Sequence, residues 1–177
     1  MIFTETKLPG AFVIDPQPVE DERGFFAQCW SEEAFADRGL NPRLVETNVS
    51  VNYQKGTLRG MHFQVAPHAQ PKLVRCTAGA IYDVMIDLRP DSTTFKQWHA
   101  VELTAANHRQ LYIPAGIAHG FQTLADNTEV SYHMSAIYRV ESARGVRWDD
   151  PAFVIEWPHV GGRVINDRDR TWPLFLE

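Results

Sequence analysis

Cysteine, long apolar runs and basic charge are all scarce in this chain of 177 residues. The two cysteines, Cys29 and Cys76, are too few for a disulfide framework, so we expect reduced thiols and a cytoplasmic protein. No apolar run approaches the roughly 20 residues of a membrane span, and the first residues lack the basic and apolar regions of a secretory signal. A net charge of −5 without a basic stripe argues against nucleic acid. We therefore expect neither a membrane nor a nucleic acid as a partner.

What the chain does contain is a series of short segments in which apolar and polar residues alternate. Turn residues separate these segments about every 8–12 positions, which is typical of a β-sandwich or barrel. The clear helix covers residues 31–38, with Ser31 as its N-cap and Gly39 as a left-handed stop. The predicted strands cover residues 72–76, 80–88, 98–103, 110–113, 120–124, 130–134, 145–148 and 154–157.

The length and an apolar fraction of 44% predict one domain, residues 1–177, with a substantial core. An all-β fold, an antiparallel double-sheet jelly roll of the cupin type, agrees best with the strand pattern. The polar C-terminal tail contains Arg168-Asp169-Arg170, which we expect to fold back over the mouth of the barrel.

Two histidines lie in glycine-rich segments where we expect a strand to meet a turn. The segment 56–64 contains Arg59 and His62, and the segment 114–121 contains His119. A base close to fixed cations suggests an acid–base site for an anionic ligand. Downstream, Asp83 and Asp87 alternate along one strand; either one of them is a hydrogen-bond partner of a histidine or both lie on a solvated face.

The first histidine segment differs from that of metal-binding cupins. Metal cupins carry His-x-His and a downstream Glu there, whereas this chain has His62-Phe63-Gln64 and no Glu in residues 65–88. Three or four metal ligands are therefore hard to assemble from this motif, so we expect no metal site and both histidines to be available for other chemistry.

Seven blocks of the sequence, taken together in order and spacing, resemble the dTDP-4-dehydrorhamnose 3,5-epimerase family. The resemblance implies a cupin that uses no metal and no cofactor, acts on a nucleotide-linked 4-keto-6-deoxy sugar and forms a homodimer. In such a dimer an N-terminal strand of one subunit reaches the site of the other. The blocks are residues 21–26, 57–64, 72–76, 81–89, 92–98, 113–121 and 147–151.

The resemblance also implies catalytic roles, and the chemistry of the residues agrees with them. Protons on C3 and C5 flank the C4 ketone, so their removal needs a base, a cation for the enolate oxygen and an acid on the opposite face. His62 would be the base, oriented by Asp169, because imidazole exchanges protons near neutral pH. Tyr132 would be the acid, since a phenol stays protonated there, and Lys72 would stabilise the enolate.

Further residues are expected to bind the substrate. Arg59 would hold the diphosphate bidentately, His119 would line the sugar site, Tyr138 would lie near sugar and base, and Arg23 would come from the partner subunit. The full predicted set is Arg23, Phe26, Gln28, Asn48, Arg59, His119 and Tyr138.

Three positions depart from the pattern of that family. Gln28 stands where Glu often accepts from the thymine imide, Glu46 stands where Gln usually precedes Asn48, and His133 stands where Lys is common. A carboxylate at position 46 is unfavourable beside a diphosphate unless it points away or meets an arginine. The departures leave open the nucleotide, the sugar and whether one or both carbons are epimerised.

Several alternatives follow from these observations. The nearest is a monoepimerase acting at C3 or C5 alone, and a keto-isomerase on the same fold is a further one. A metal-dependent cupin oxygenase is disfavoured by the absent second histidine, and a binding module without catalysis is disfavoured by the presence of both acid and base.

Overall fold

The computed structural model describes residues 1–175, in which β-strands predominate. There are two short helices, α1 (Glu32–Ala36) and α2 (Asp167–Arg170), and one 3-10 helix, Val140–Ser142. No helix among these residues is both long and apolar enough to cross a membrane. The strands are β1 (Ile2–Glu5), β2 (Phe12–Asp15), β3 (Val19–Asp21), β4 (Gly24–Phe26), β5 (Glu46–Asn52), β6 (Leu58–Gln64), β7 (Lys72–Ala78), β8 (Ala80–Asp87), β9 (Trp98–Thr104), β10 (Gln110–Ile113), β11 (Ile117–Thr123), β12 (Thr128–Met134) and β13 (Ala143–Gly145).

The strands form two antiparallel sheets and one separate hairpin. The six-stranded sheet has the order β1-β2-β10-β7-β12-β5, and the five-stranded sheet has the order β13-β6-β11-β8-β9. Strands β3 and β4 pair with each other as a two-stranded hairpin. Two antiparallel sheets enclosing a common core make the double-sheet jelly roll of the cupins, as the sequence predicts.

Both faces of the five-stranded sheet are covered, which explains why β8 and β11 are buried along most of their length. Alternate residues of β8 point to opposite sides: Ile81 and Met85 enter the core between the sheets, whereas Val84 and Ile86 pack on the outer side. The outer layer consists of Phe153 and the partly buried Ile155, Trp157 and Phe175. The chain after β13 therefore acts as a cover for this sheet.

Strands β6 and β11 approach each other closely at two glycines. A Cβ atom on Gly60 would lie 2.5 Å from Cα of Gly120, and the φ angle of Gly60 is +134°, which side chains rarely adopt. Two residues farther along β6, His62 is the cross-strand partner of His119 on β11. The glycine contact thus brings the two histidines side by side within the strands, rather than at a junction between strand and turn as predicted.

The predicted helix, and every predicted strand but one, are present. Ser31 accepts a hydrogen bond from the amide of Ala34 at the start of α1, and Gly39 has a φ angle of +68° after its end. The predicted strand at 145–148 corresponds to β13, which lies slightly earlier. The predicted strand at 154–157 is wrong, because Val154 has a φ angle of +50°, outside the extended region, and the segment packs as a loop.

The C-terminal tail folds back as expected, and it contains a helical turn that the sequence pattern did not predict. Asn166 caps α2 by accepting a hydrogen bond from the amide of Asp169 at 2.7 Å. Farther along, Trp172 packs directly over Gly145, where a Cβ atom would lie 2.3 Å from its ring. These contacts fix the tail against β6 and β13.

Candidate active site

A cleft with two lobes opens at one end of the interior between the sheets. The smaller lobe has a volume of about 190 Å³ and the larger one of about 340 Å³. Four side chains line both lobes: His62, Lys72, Tyr132 and Arg168. The cleft therefore brings together the base, the cation and the acid predicted from the sequence. It also contains Arg168, which the sequence analysis expected at the barrel mouth but did not assign to the site.

His62 and Asp169 form a hydrogen-bonded pair. Nε2 of His62 lies 2.6 Å from Oδ1 of Asp169, and Oδ2 of this carboxylate accepts from the amide of Gly60 at 3.1 Å. Burial opposes ionisation of Asp169, but the hydrogen bonds from His62 and Gly60 outweigh it and lower the pKa of the carboxyl. Its side chain is 2% exposed, whereas that of His62 is 39% exposed. The ionised carboxylate therefore fixes an imidazole that faces the cleft.

The hydrogen bond to Asp169 determines which nitrogen of His62 is available. With the proton on Nε2 directed at the carboxylate, Nδ1 carries the free electron pair. Within residues 1–175, no hydrogen bond engages Nδ1. The ring is consequently arranged to accept a proton at Nδ1.

Lys72 brings a positive charge into the cleft from the first position of β7. Its Nζ donates to the backbone oxygen of His62 at 3.3 Å. Burial lowers the pKa of Lys72 to about 8, and the nearby carboxylate of Asp83 partly opposes this shift. At neutral pH the ammonium is charged in surroundings where its field is weakly screened.

Tyr132 approaches the cleft from β12 of the six-stranded sheet. Its ring lies 6.3 Å from that of His119 and 6.4 Å from that of Phe121, measured between centroids. Burial raises the pKa of the phenol well above its usual range, although a hydrogen bond with Ser50 and the charge of Arg59 oppose the shift. Tyr132 is therefore protonated at neutral pH and has a proton to donate.

His119 forms a second pair with an aspartate, and both partners are buried. Nε2 of His119 lies 2.9 Å from Oδ2 of Asp83. Burial lowers the pKa of His119 and raises that of Asp83, so each shift favours the neutral form. Asp83 is thus the hydrogen-bond partner of a histidine, which was one of the two options from the sequence. Asp87 is also buried, but it binds Arg89, Ser92 and Thr94 instead.

Arg59 and Arg168 add positive charge around the larger lobe. Nε of Arg59 donates to Oδ1 of Asn52 at 2.7 Å, which leaves its two terminal nitrogens without a hydrogen bond among residues 1–175. The guanidinium of Arg168 stacks 5.1 Å from the ring of Trp172. Asn48 on β5 is the cross-strand partner of Tyr132, but it is exposed and lines neither lobe. The planar guanidinium groups of Arg59 and Arg168 are therefore available to bind an anionic ligand.

Tyr138 lines the smaller lobe, and Glu46 contacts its backbone. The carboxylate oxygens of Glu46 accept from the amide of Tyr138 at 3.2 and 3.3 Å. The carboxylate of Glu46 therefore bonds to a backbone amide, and not to an arginine or within a phosphate-binding site. The third departure, His133, forms a hydrogen bond with Thr47 at 2.9 Å.

Four of the predicted substrate contacts, Asn48 and three residues nearer the N-terminus, do not line this cleft. Arg23, Phe26 and Gln28 belong to the β3–β4 hairpin and the residues after it, and all three are exposed. Arg23 pairs with Asp21 within the hairpin, and the Phe26 side chain is 76% exposed. In a single chain these residues and the cleft remain separate.

Comparison with known proteins agrees with this arrangement. The sequence matches the family model for dTDP-4-dehydrorhamnose 3,5-epimerase over residues 5–177. The chain belongs to this epimerase family. A dTDP-4-dehydrorhamnose 3,5-epimerase from Sinorhizobium fredii is 42% identical over 177 residues, which cover 100% of this chain and 91% of that protein. As a member of the family, the chain is an isomerase that acts on a nucleotide sugar.

Solved structures of epimerases share the fold and carry related ligands. The 3,5-epimerase from Bacillus anthracis, solved with TDP and PPi bound, is 42% identical with a TM-score of 0.93, covering 98% of this chain and 99% of that one. A 3'-monoepimerase from Streptomyces bikiniensis, in complex with dTDP-quinovose, is 30% identical with a TM-score of 0.89, covering 96% of this chain and 85% of that one. The fold therefore accommodates both reaction types.

The donor set of the cleft differs from that of a metal cupin. Among residues 1–175, no three side chains of His, Cys, Asp or Glu are grouped to hold a metal ion. His62 and His119 are each directed at an aspartate instead. Cys29 and Cys76 are free thiols.

Proposed function

We propose that this chain epimerises a dTDP-linked 4-keto-6-deoxy sugar at C3 and C5, as a cytoplasmic, single-domain enzyme of deoxysugar biosynthesis of the dTDP-rhamnose type. The observation that carries the proposal is the placement of base and acid on opposite sheets. His62 lies on β6 of the five-stranded sheet, whereas Tyr132 lies on β12 of the six-stranded sheet. A sugar ring bound between the sheets would present one face to each of them.

The proposed reaction consists of two proton transfers at each carbon. Nδ1 of His62 removes the proton, and the electron pair of the C–H bond moves to the C4 oxygen, where the ammonium of Lys72 stabilises the enolate. The phenol of Tyr132 then donates a proton to the carbon from the other face, and the ketone re-forms. His62 then releases its proton to solvent and Tyr132 takes one up, which restores both groups. Repetition at the second carbon completes the epimerisation, with no net oxidation or reduction.

The remaining residues are proposed to hold the substrate. Asp169 orients His62 and stabilises its imidazolium form, as in other dyads of this kind. Arg59 and Arg168 bind the diphosphate, with Asn48 beside them, and His119 contacts the sugar. Tyr138 stacks near the nucleotide base.

Proton NMR in D₂O with dTDP-4-keto-6-deoxyglucose tests the function directly. We expect deuterium to enter at both C3 and C5, because one base and one acid serve both carbons. Entry at a single carbon would establish the monoepimerase, the second candidate, which the similarity to the 3'-monoepimerase favours. Absence of exchange despite confirmed binding of the nucleotide sugar would contradict catalysis on this substrate.

We further propose that the active enzyme is a homodimer in which the hairpin of one subunit completes the site of the other. Three exposed apolar side chains lie on the edge strand β5 or directly after it. Val49 is 59% exposed, Val51 is 46% exposed and Tyr53, the residue after the strand, is 77% exposed. Such an edge is a liability for an isolated chain and a suitable interface for a second copy. The partner's hairpin would then supply Arg23, Phe26 and Gln28.

Replacing Val49 by aspartate is expected to convert the dimer into a monomer and to lower turnover by at least about tenfold, since a buried charge disfavours association. Light scattering and steady-state kinetics measure the two effects. Val154→Asp is the matched control, because Val154 is 74% exposed on another surface and is expected to change neither. A monomeric wild-type enzyme, or a fully active monomeric variant, would disprove the shared site.

A further inference from the structure

The segment 136–139 is held by side chains rather than by regular secondary structure. It lies between the end of β12 and the 3-10 helix, and it carries Tyr138 at the edge of the smaller lobe. The carbonyl of Ala136 accepts from Nε2 of Gln70 at 2.5 Å, and the amide of Tyr138 donates to Glu46. We refer to residues 136–139 as the anchored segment.

Gln64 binds the anchored segment at two residues, one on either side of Tyr138. Its Nε2 donates to the carbonyls of His68 at 2.8 Å and Ile137 at 3.3 Å, while its Oε1 accepts from the amide of Arg139 at 2.6 Å. Its side chain is 4% exposed. The amide group of Gln64 is thus occupied on both sides, and little of it remains to bind a substrate directly.

The hydrogen bonds of Gln64 connect the strand that carries the proposed general base, His62, with the opposite rim of the cleft. Gln64 is two residues from His62 on β6, so the two side chains share one face of the strand. The carboxamide at position 64 spans from this strand to the backbone on either side of Tyr138. Without the carboxamide of Gln64, the carbonyls of His68 and Ile137 and the amide of Arg139 would lose this hydrogen-bond partner. Such a loss is costly for partly buried groups.

We propose that Gln64 is a positioning residue that fixes Tyr138 in the orientation in which its ring receives the nucleotide base, with Gln70 in a supporting role. This inference rests on the proposed function. Gln64 acts on binding through the anchored segment and leaves the proton transfers at His62 and Tyr132 unchanged. The expected signature is therefore a selective rise in KM.

The variant Gln64→Met keeps the length of the side chain and removes its hydrogen bonds. We expect the KM for the nucleotide sugar and the Kd for dTDP to rise about tenfold, with kcat changed less than about threefold. Gln122→Met is the matched control: Gln122 is also fully buried, donating to the carbonyl of Pro158 and accepting from Arg163, but it lies away from the cleft. It is expected to lower thermal stability without raising KM.

A double-mutant cycle with Tyr138→Ala separates positioning from general packing. If Gln64 acts through Tyr138, Gln64→Met adds little to the KM of Tyr138→Ala. A full additional effect, or an unchanged KM in Gln64→Met, would overturn the proposal. Should Gln64→Met fail to fold, Gln70→Met, which removes a single anchor, is expected to give a smaller rise of about threefold, and an unchanged KM there would overturn it equally.

Amide hydrogen exchange of the ligand-free protein distinguishes this inference from the proposed function. We expect the amides of Tyr138 and Arg139 to lose protection in Gln64→Met and to keep it in Gln122→Met. If the wild-type protein bound no dTDP, the proposed function would fail, and the exchange data alone would decide whether Gln64 orders the segment.

Discussion

Replacing His62 by asparagine is expected to lower turnover by about a thousandfold and to suppress deuterium incorporation at C3 and C5 alike. The size follows from the usual contribution of a general base, about 10²–10⁴. Asparagine is polar and matches the position of Nδ1, but it has no basic nitrogen to accept a proton, and it is too short to keep the contact that Nε2 makes with Asp169. Steady-state kinetics and NMR in D₂O measure the two effects.

The geometry explains why a single side chain should have so large an effect. The lowered pKa of Asp169 keeps a negative charge 2.6 Å from Nε2 of His62. This charge stabilises the imidazolium that forms when Nδ1 accepts the proton, and it also holds the ring in place. His119 lines the cleft as well, but its side chain is only 5% exposed and is bonded to the buried Asp83, whereas that of His62 is 39% exposed.

His159→Asn is the control for this prediction, because His159 is exposed and lies outside the cleft. It is expected to behave as wild type in both assays. Exchange at either carbon at the wild-type rate in His62→Asn would show that another group is the base.

Strands and local motifs of this protein could be predicted from the sequence, because both depend on neighbouring residues. Alternation along β8 indicates a strand whether its two faces meet solvent or protein. The same alternation is misleading at residues 154–157, where apolar side chains pack against the outer side of the sheet from a loop. The turn at Val154 carries no glycine or asparagine, so no local signal marks it.

The distant parts of the site could be predicted only through the family resemblance or not at all. Asp169 is 107 residues from His62 in sequence, and its own surroundings are typical of a solvated tail. Arg168, beside it, was expected at the barrel mouth but was given no role in the site, because a charged residue in an irregular tail gives no periodic signal. The contacts of Gln64 were likewise inaccessible, since they depend on how one loop passes over β6.

Replacing Lys72 by methionine is expected to lower turnover by about 10²–10³, the usual cost of losing one oxyanion-stabilising group. The alkaline side of the pH profile should change as well. In the wild-type enzyme, turnover should fall as the pH rises through the lowered pKa of Lys72, about 8, because the ammonium loses its charge. Lys72→Met should lack this limb, which kcat measured between about pH 6 and pH 10 would reveal.

Stability should change in the opposite direction from activity. The pKa of Lys72 in the folded protein, about 8, lies below the roughly 10.4 of an unfolded chain, so the unfolded chain binds the proton more tightly. The buried charge therefore costs stability below pH 8, and this cost disappears as the pH rises from about 8 to 10.4. Methionine removes it, so we expect a gain on the order of 1 kcal/mol at neutral pH in denaturant unfolding.

The exposed Lys55 provides the control, because Lys55→Met removes one positive charge at a site without burial. It is expected to leave turnover, its pH profile and stability nearly unchanged. A Lys72→Met enzyme that is both inactive and strongly destabilised would mean that Lys72 is a structural cation. A more stable but inactive enzyme would mean that the protein keeps a costly buried charge for the enolate, which is the role the cleft geometry supports.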